Sequence, residues 1–187
     1  MKPAPLLIVK DRTAWRSWLA KHHRTAKEIW LVYYKKESGL PRIPYTDAVE
    51  EALCYGWIDS TMRPLDARSF AQRFSPRRPK SDLSELNKER IRRLIRSKKM
   101  RKAGLDAVRH HMDAITGTPK EFRFPPDIVA AIRRHPKAWK HYRAFPLSYR
   151  RIRIGWIDGA RARPEEFDKR LRYFIAKTEK NVKFGMK

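Results

Sequence analysis

Residues 48–59, Ala48-Val49-Glu50-Glu51-Ala52-Leu53-Cys54-Tyr55-Gly56-Trp57-Ile58-Asp59, decide the fold. Ala48, Val49, Ala52 and Leu53 fall on one face of a helical wheel, which predicts a helix that runs to Tyr55. Thr46 or Asp47 stands ahead of it as an N-cap. Gly56 is placed to end it as the C′ residue in the left-handed region. Trp57-Ile58-Asp59-Ser60 then leaves as a strand. Glu50 and Glu51 read as acids that complement the helix dipole, not as a catalytic carboxylate pair.

Upstream, Asp11 or Thr13 caps a helix over 14–22 whose apolar stripe is Trp15, Trp18 and Leu19. Residues 28–35, rich in aromatic and β-branched side chains, form a buried strand. Ser38-Gly39-Leu40-Pro41 turns the chain. Downstream, Arg63-Pro64-Leu65-Asp66 is a turn, and the alternation of Phe70, Gln72 and Phe74 predicts a returning strand. Residues up to about 75 therefore read as a small antiparallel sheet with helices on one face.

Beyond them the pattern is helical. Asp82 and Glu85 resemble a capping box ahead of a helix to about Lys99, and a second helix is expected over 105–115. Thr116-Gly117-Thr118-Pro119 breaks the chain, and 120–126 is a linker. Asp127 caps the next helix, Pro136 starts another, and Arg163-Pro164 interrupts the last helical stretch. The fold class is α+β, with a body over 1–118 and a helical segment over 119–187 expected to pack on it. Gly-Trp-Ile-Asp occurs at 56–59 and at 155–158, at a helix exit and in a helix interior, and reads as chance.

The chain has 187 residues and a formal net charge of +25. Residues 1–60 contribute +3, 61–120 contribute +11 and 121–187 contribute +11. Such a field attracts polyanions over about a Debye length, ~8–10 Å at physiological salt. No apolar run approaches the ~18 residues of a membrane span, and the N-terminus is too short in apolar residues for a signal peptide. The single cysteine, Cys54, excludes an intrachain disulfide and suits a reducing compartment. A cytoplasmic location is the expectation.

On a wheel of the helix after Asp82, Asn87 and Arg90 fall within the apolar face of Leu83, Leu86, Ile91 and Leu94. Two polar side chains turned inward need partners, and Asp59 and Asp66 are the nearest acids by topology. They brace the preceding loop or line a polar pocket under it. That loop, Phe74-Ser75-Pro76-Arg77-Arg78-Pro79-Lys80-Ser81, feeds a helix N-terminus, where free N–H groups favour anions. It lacks the glycines of a P-loop. A ligand site of Asp59, Arg73, Ser75, Arg77, Arg78, Asn87 and Arg90 follows as an expectation. Cys54 reads as a small buried residue. No His or Cys spacing suits a metal, and neither metal nor cofactor is expected. The basic helices after residue 88, with Trp139, His141, Tyr142 and Tyr149, offer charge and stacking surface to nucleic acid. No helix-turn-helix, zinc-finger, RRM or KH signature accompanies them.

The blocks at 30–36, 48–59, 72–78 and 87–90 resemble the bacterial YdeI/OmpD-associated, bacteriocin-protection family. So does the C-terminal part from Pro126-Asp127 through Ala138 to Pro146-Leu147-Ser148-Tyr149-Arg150. The resemblance spans roughly residues 15–175, and 52–59 and 73–78 are its most specific parts. Leu83-Ser84 stands where the family has Trp-Ser, Glu85 where it has Lys, and Lys98 and Lys102 where it has Gly and Pro. The resemblance implies an α+β body and an association with defence against bacteriocins or cationic peptides, or with envelope stress. It implies no catalytic mechanism. A cationic protein does not sequester a cationic peptide, so an anionic small molecule or polyanion is the expected partner. Nucleic-acid association and an unrecognised enzyme are the alternatives.

Overall fold

The computed structural model of the chain describes residues 5–117 and 122–185. The segment 118–121, which holds the second half of the break expected at 116–119 and the 118/119 boundary, lies outside the described residues. The chain forms two compact units. The first is Met1–Ser81 with Ile91–Met112, and the second is Asp82–Arg90 with Asp113–Lys187.

In the first unit, α1 (Arg12–His22) begins after Asp11, whose carboxylate accepts from the Ala14 N–H at 2.8 Å. Trp15 and Leu19 are fully buried, and the Trp15 ring meets Phe74 edge-on at 5.4 Å. α2 (Tyr45–Cys54) corrects the expected start: it follows Pro44 with no side-chain cap, and Asp47 lies inside its first turn, bonded to Arg12 at 3.2 Å. Because the helix opens at Tyr45, Thr46 and Asp47 are its second and third residues and cannot cap it. Gly56 holds φ +76°, and a Cβ there would stand 2.8 Å from Ala107 Cβ and 2.9 Å from Ala103 O. Both the turn and the close approach of α4 (Lys102–Ala107) require glycine.

Four strands form one sheet in the order β1-β2-β4-β3. β2 (Ile29–Tyr34) runs antiparallel to β4 (Ser69–Pro76), with Ile29 opposite Phe74 and Tyr33 opposite Phe70. β3 (Trp57–Pro64) pairs antiparallel with β4, with an irregularity between Asp59 and Met62. β1 (Leu6–Leu7) pairs parallel with β2, so the sheet is mixed, not purely antiparallel as expected. Two residues are too few to show an alternating pattern; the pairing is continued by the Trp30 N–H bond to Pro5 O at 3.0 Å. Side chains alternate across the strands. Ile29, Leu31, Tyr33, Phe70, Gln72 and Phe74 therefore share the face that carries α1, while Trp30, Val32, Ala71 and Arg73 lie on the other.

α3 (Glu85–Arg96) corrects two expectations. Ser84, not Asp82, caps it: its Oγ accepts from the Asn87 N–H at 3.3 Å and its carbonyl from Lys88 N–H at 2.9 Å. It also stops at Arg96. Lys98 takes φ +54°, and the N–H groups of Lys98 and Lys99 return to Ile95 O and Leu94 O. That is the left-handed ending in which glycine is usual. The helix expected over 105–115 is broken into α4, a 3₁₀ turn at Arg109–His111 and α5 (Met112–Thr116).

The second unit carries α6 (Pro126–Arg133), α7 (Pro136–Ala144), α8 (Leu147–Asp158) and α9 (Pro164–Glu179). Asp127 does not cap α6; it sits in the first turn and takes both guanidinium Nη atoms of Arg161 at 2.9 and 3.0 Å. Ile128, Ile132, Tyr142, Tyr149, Ile154, Ile157 and Phe174 form a buried core. The start of α3 belongs to this unit, where Glu89 pairs with buried Arg151 at 3.0 Å. The second Gly-Trp-Ile-Asp lies inside α8, unlike the first at the exit of α2.

Candidate functional site

Of the seven residues expected to form one ligand site, five lie in the first unit, and Asn87 and Arg90 in the second. Asp59, on β3, accepts from the Tyr45 hydroxyl at 2.6 Å. Arg73 is a neighbour of Phe74 on β4 and so points to the opposite face, where it binds Glu28 at 2.6 and 2.8 Å. That guanidinium holds the Glu28 carboxyl below its ordinary range. Ser75 shares the Arg73 face, opposite Ile58.

Arg77 continues the ladder through its N–H to Gly56 O at 2.9 Å and turns its guanidinium onto Ser81 O at 3.0 Å. Arg78 O accepts both the N–H and the hydroxyl of Ser81, at 3.2 and 2.8 Å. The loop is thus closed by its own turn, with Pro79 and Lys80 (φ +59°) in the middle. α3 starts only at Glu85, seven residues after Arg78 in the chain. Within the second unit, Arg90 is buried, and its Nη1 donates to Asn87 Oδ1 at 3.0 Å. Asp66, the other acid considered for Arg90, accepts from Arg68 N–H and Ser69 Oγ at 2.7 Å each.

Asp59 opens into a cleft of about 520 Å³ on the α1 face of the sheet. Tyr33, Gln72 and Phe70 form its floor, and Arg42, Tyr45 and Met62 its rim. Tyr33 and Phe70 stack with centroids 5.3 Å apart and planes 7° apart. None of these except Asp59 is marked as a site residue by the sequence, where 28–35 reads simply as buried strand. The legible signal is a tyrosine pair at the end of an otherwise apolar run.

Glu50 and Glu51 are not solvent-facing acids. Glu51 is 2% exposed and accepts from Arg12 and Arg16 at 2.5 Å each; Glu50 accepts from Arg12 at 3.2 Å and from Arg93. Three arginines compensate them, which leaves neither as a free base. Cys54 is fully buried, and burial pushes its thiol up to about 11, against any role as a nucleophile. Among the described residues no group of three His, Cys, Asp or Glu could hold a metal ion. No helix among them is long and apolar enough to cross a membrane.

The second unit presents a different surface. Residues 128–157 contain no Asp or Glu and eight Arg or Lys. Arg133, Arg134, Lys137, Lys140 and Arg143 are all exposed, and none has a carboxylate partner among the described residues. Lys137, Lys140 and Arg143 follow at i, i+3, i+6 along α7 and form one stripe. The Arg133 and Arg143 guanidinium groups lie 4.9 and 5.7 Å from the Trp139 ring centre, and Trp139 stacks on Tyr142. Nearby, His135 Nδ1 meets the acid Glu179 at 3.0 Å.

Residues 7–107 match the family described as Domain of unknown function (DUF8412). Residues 121–181 match the family described as Bacteriocin-protection, YdeI or OmpD-Associated. The sequence blocks at 30–36, 48–59, 72–78 and 87–90 thus fall under the first family, and the C-terminal blocks under the second. No curated protein and no solved structure matches the chain.

Proposed function

We propose that this chain, which belongs through residues 7–107 to the DUF8412 domain family, is a protection-type protein that acts by holding an anionic partner, with no reaction assigned to it. The observation that carries this reading is the acid-free stretch 128–157 and its unpaired cations on α6 and α7. Several arginines on other elements are held by acids: Arg12 and Arg16 by Glu51, Arg73 by Glu28, Arg151 by Glu89, Arg161 by Asp127. On α7 the cations recur every three residues, about 4.5 Å of helix axis. A single DNA strand carries a phosphate per ~3.4 Å. The spacing suits an extended, multiply charged anion better than a small metabolite.

The match over residues 121–181 supports the protection reading. The chain's own charge speaks against direct capture of a cationic peptide. A second reading is favoured by Trp139 between two guanidinium groups: association with a nucleic-acid strand, through cations and planar stacking surface together. It would show a sequence or structure preference that survives 150 mM salt.

The test is fluorescence anisotropy with inorganic polyphosphate as competitor of a labelled single-stranded oligonucleotide. The triple variant Lys137→Glu, Lys140→Glu, Arg143→Glu is expected to weaken both at least tenfold. The pair Arg77→Ala, Arg78→Ala is expected to leave binding unchanged. The reverse pattern would move the anion to the loop after β4 and reject the α7 surface.

A further inference from the structure

We infer that the cleft of the first unit is a binding site for a small zwitterionic molecule with an apolar, ring-bearing body. Its most informative group is Tyr33. This side chain is 2% exposed, and its hydroxyl has no hydrogen-bond partner among the described residues. Buried polar groups are almost always partnered, and one left unpaired in a cleft marks where a ligand atom belongs. Arg42, Tyr45 and Asp59 line the same cleft as Tyr33. Burial keeps the phenol protonated well above the usual range, so it can donate as well as accept.

The remaining groups define the ligand's polarity. Asp59 uses one oxygen for Tyr45 and has the other for a donor. Gln72 donates to Ser60 O at 2.8 Å, which fixes its amide and turns Oε1 into a second acceptor. Arg42 spends one Nη on Tyr34 O at 2.9 Å and keeps further N–H groups for an anion. Arg42 and Asp59 make no ion pair with each other among the described residues, so the cleft holds both charges separately. Such a cleft complements a molecule with an ammonium and a carboxylate. Met62, 61% exposed at the rim, and Phe70 on the floor offer apolar surface to its body. The volume lies in the range of small-molecule sites, ~300–1,000 Å³.

The site is independent of the α7 surface, and its test uses residues of the first unit alone. Isothermal titration of the intact chain compares three probes with one ring: L-tryptophan, tryptamine and indole-3-propionate. L-tryptophan is expected to bind at least tenfold more tightly than either single-charge probe. Asp59→Asn, which keeps an acceptor for Tyr45, is expected to abolish tryptamine binding and spare indole-3-propionate. Arg42→Met is expected to do the opposite. Tyr33→Phe is expected to weaken L-tryptophan about tenfold while raising Tm by about 2–4 °C, because an unpaired buried hydroxyl is removed. Equal affinity for the three probes, no binding of any, or a lower Tm in Tyr33→Phe would overturn the inference.

Discussion

Lys98 holds φ +54°, a region that costs a residue with a Cβ roughly 1–2 kcal/mol. The backbone here makes the helix ending in which glycine is usual, so the lysine carries strain that a glycine would not. Lys98→Gly is expected to stabilise the protein by about 1 kcal/mol, net of the greater freedom of an unfolded glycine, read as a higher urea midpoint at unchanged slope. At this scale the sequence was informative where geometry is local. Gly56 as a left-handed ending, Cys54 as a buried thiol and Arg90 as an inward cation are all read from neighbours within a turn or two. Tyr33 was not legible as a site residue: its meaning comes from Arg42, Tyr45 and Asp59, which folding brings to it. Nor was Glu51, whose partners Arg12 and Arg16 lie 39 and 35 positions away.

Among the elements, α1 and α7 were legible because pattern and a start signal agree, Asp11 before α1 and Pro136 opening α7, and β2 because of its β-branched and aromatic run; Pro164, read as an interruption, in fact opens α9. The start of α3 was misread because two caps compete within three residues. Ser84 Oγ takes the Asn87 N–H, so the helix opens one residue after it, at Glu85. Ser84→Ala is expected to cost about 1 kcal/mol by urea denaturation. β1 escaped detection because two residues carry no period. The helix expected over 105–115 failed because Gly104 holds α4 against α2, where a Cβ would lie 2.4 Å from Cys54 O, and the chain must bend again within a few residues. The loop after β4 has the composition of an anion site but a self-closed geometry, which composition cannot reveal.

Over the whole molecule the +25 charge sets the solution behaviour. Glu28 and Asp127 have carboxyl groups lowered chiefly by hydrogen bonds from Arg73 and Arg161. A carboxylate lowered on folding stabilises the folded state fully above its ordinary value, 4.5 for Glu28 and 3.8 for Asp127, and this is lost as pH falls through the lower folded value. Stability is therefore expected to be flat from pH 7 to about 5 and to fall below about 4, as lost acids also raise the positive charge. Glu28→Gln should show a shallower fall in urea midpoint against pH. Charge excess was fully legible in the sequence. The acid-free run 128–157 is legible there too, but which of its cations face solvent is set by how α6 and α7 pack.

The account stands on those free cations holding an extended anion. The most direct test is the affinity of a short single-stranded oligonucleotide measured from 50 to 300 mM salt. Five phosphate contacts, one for each of Arg133, Arg134, Lys137, Lys140 and Arg143, predict a log–log slope of about −3.5, at ~0.7 per phosphate. The Lys137→Glu, Lys140→Glu, Arg143→Glu variant should make that slope shallower by about 2. A slope identical in the variant and the parent chain would contradict the assignment of the anion to α7.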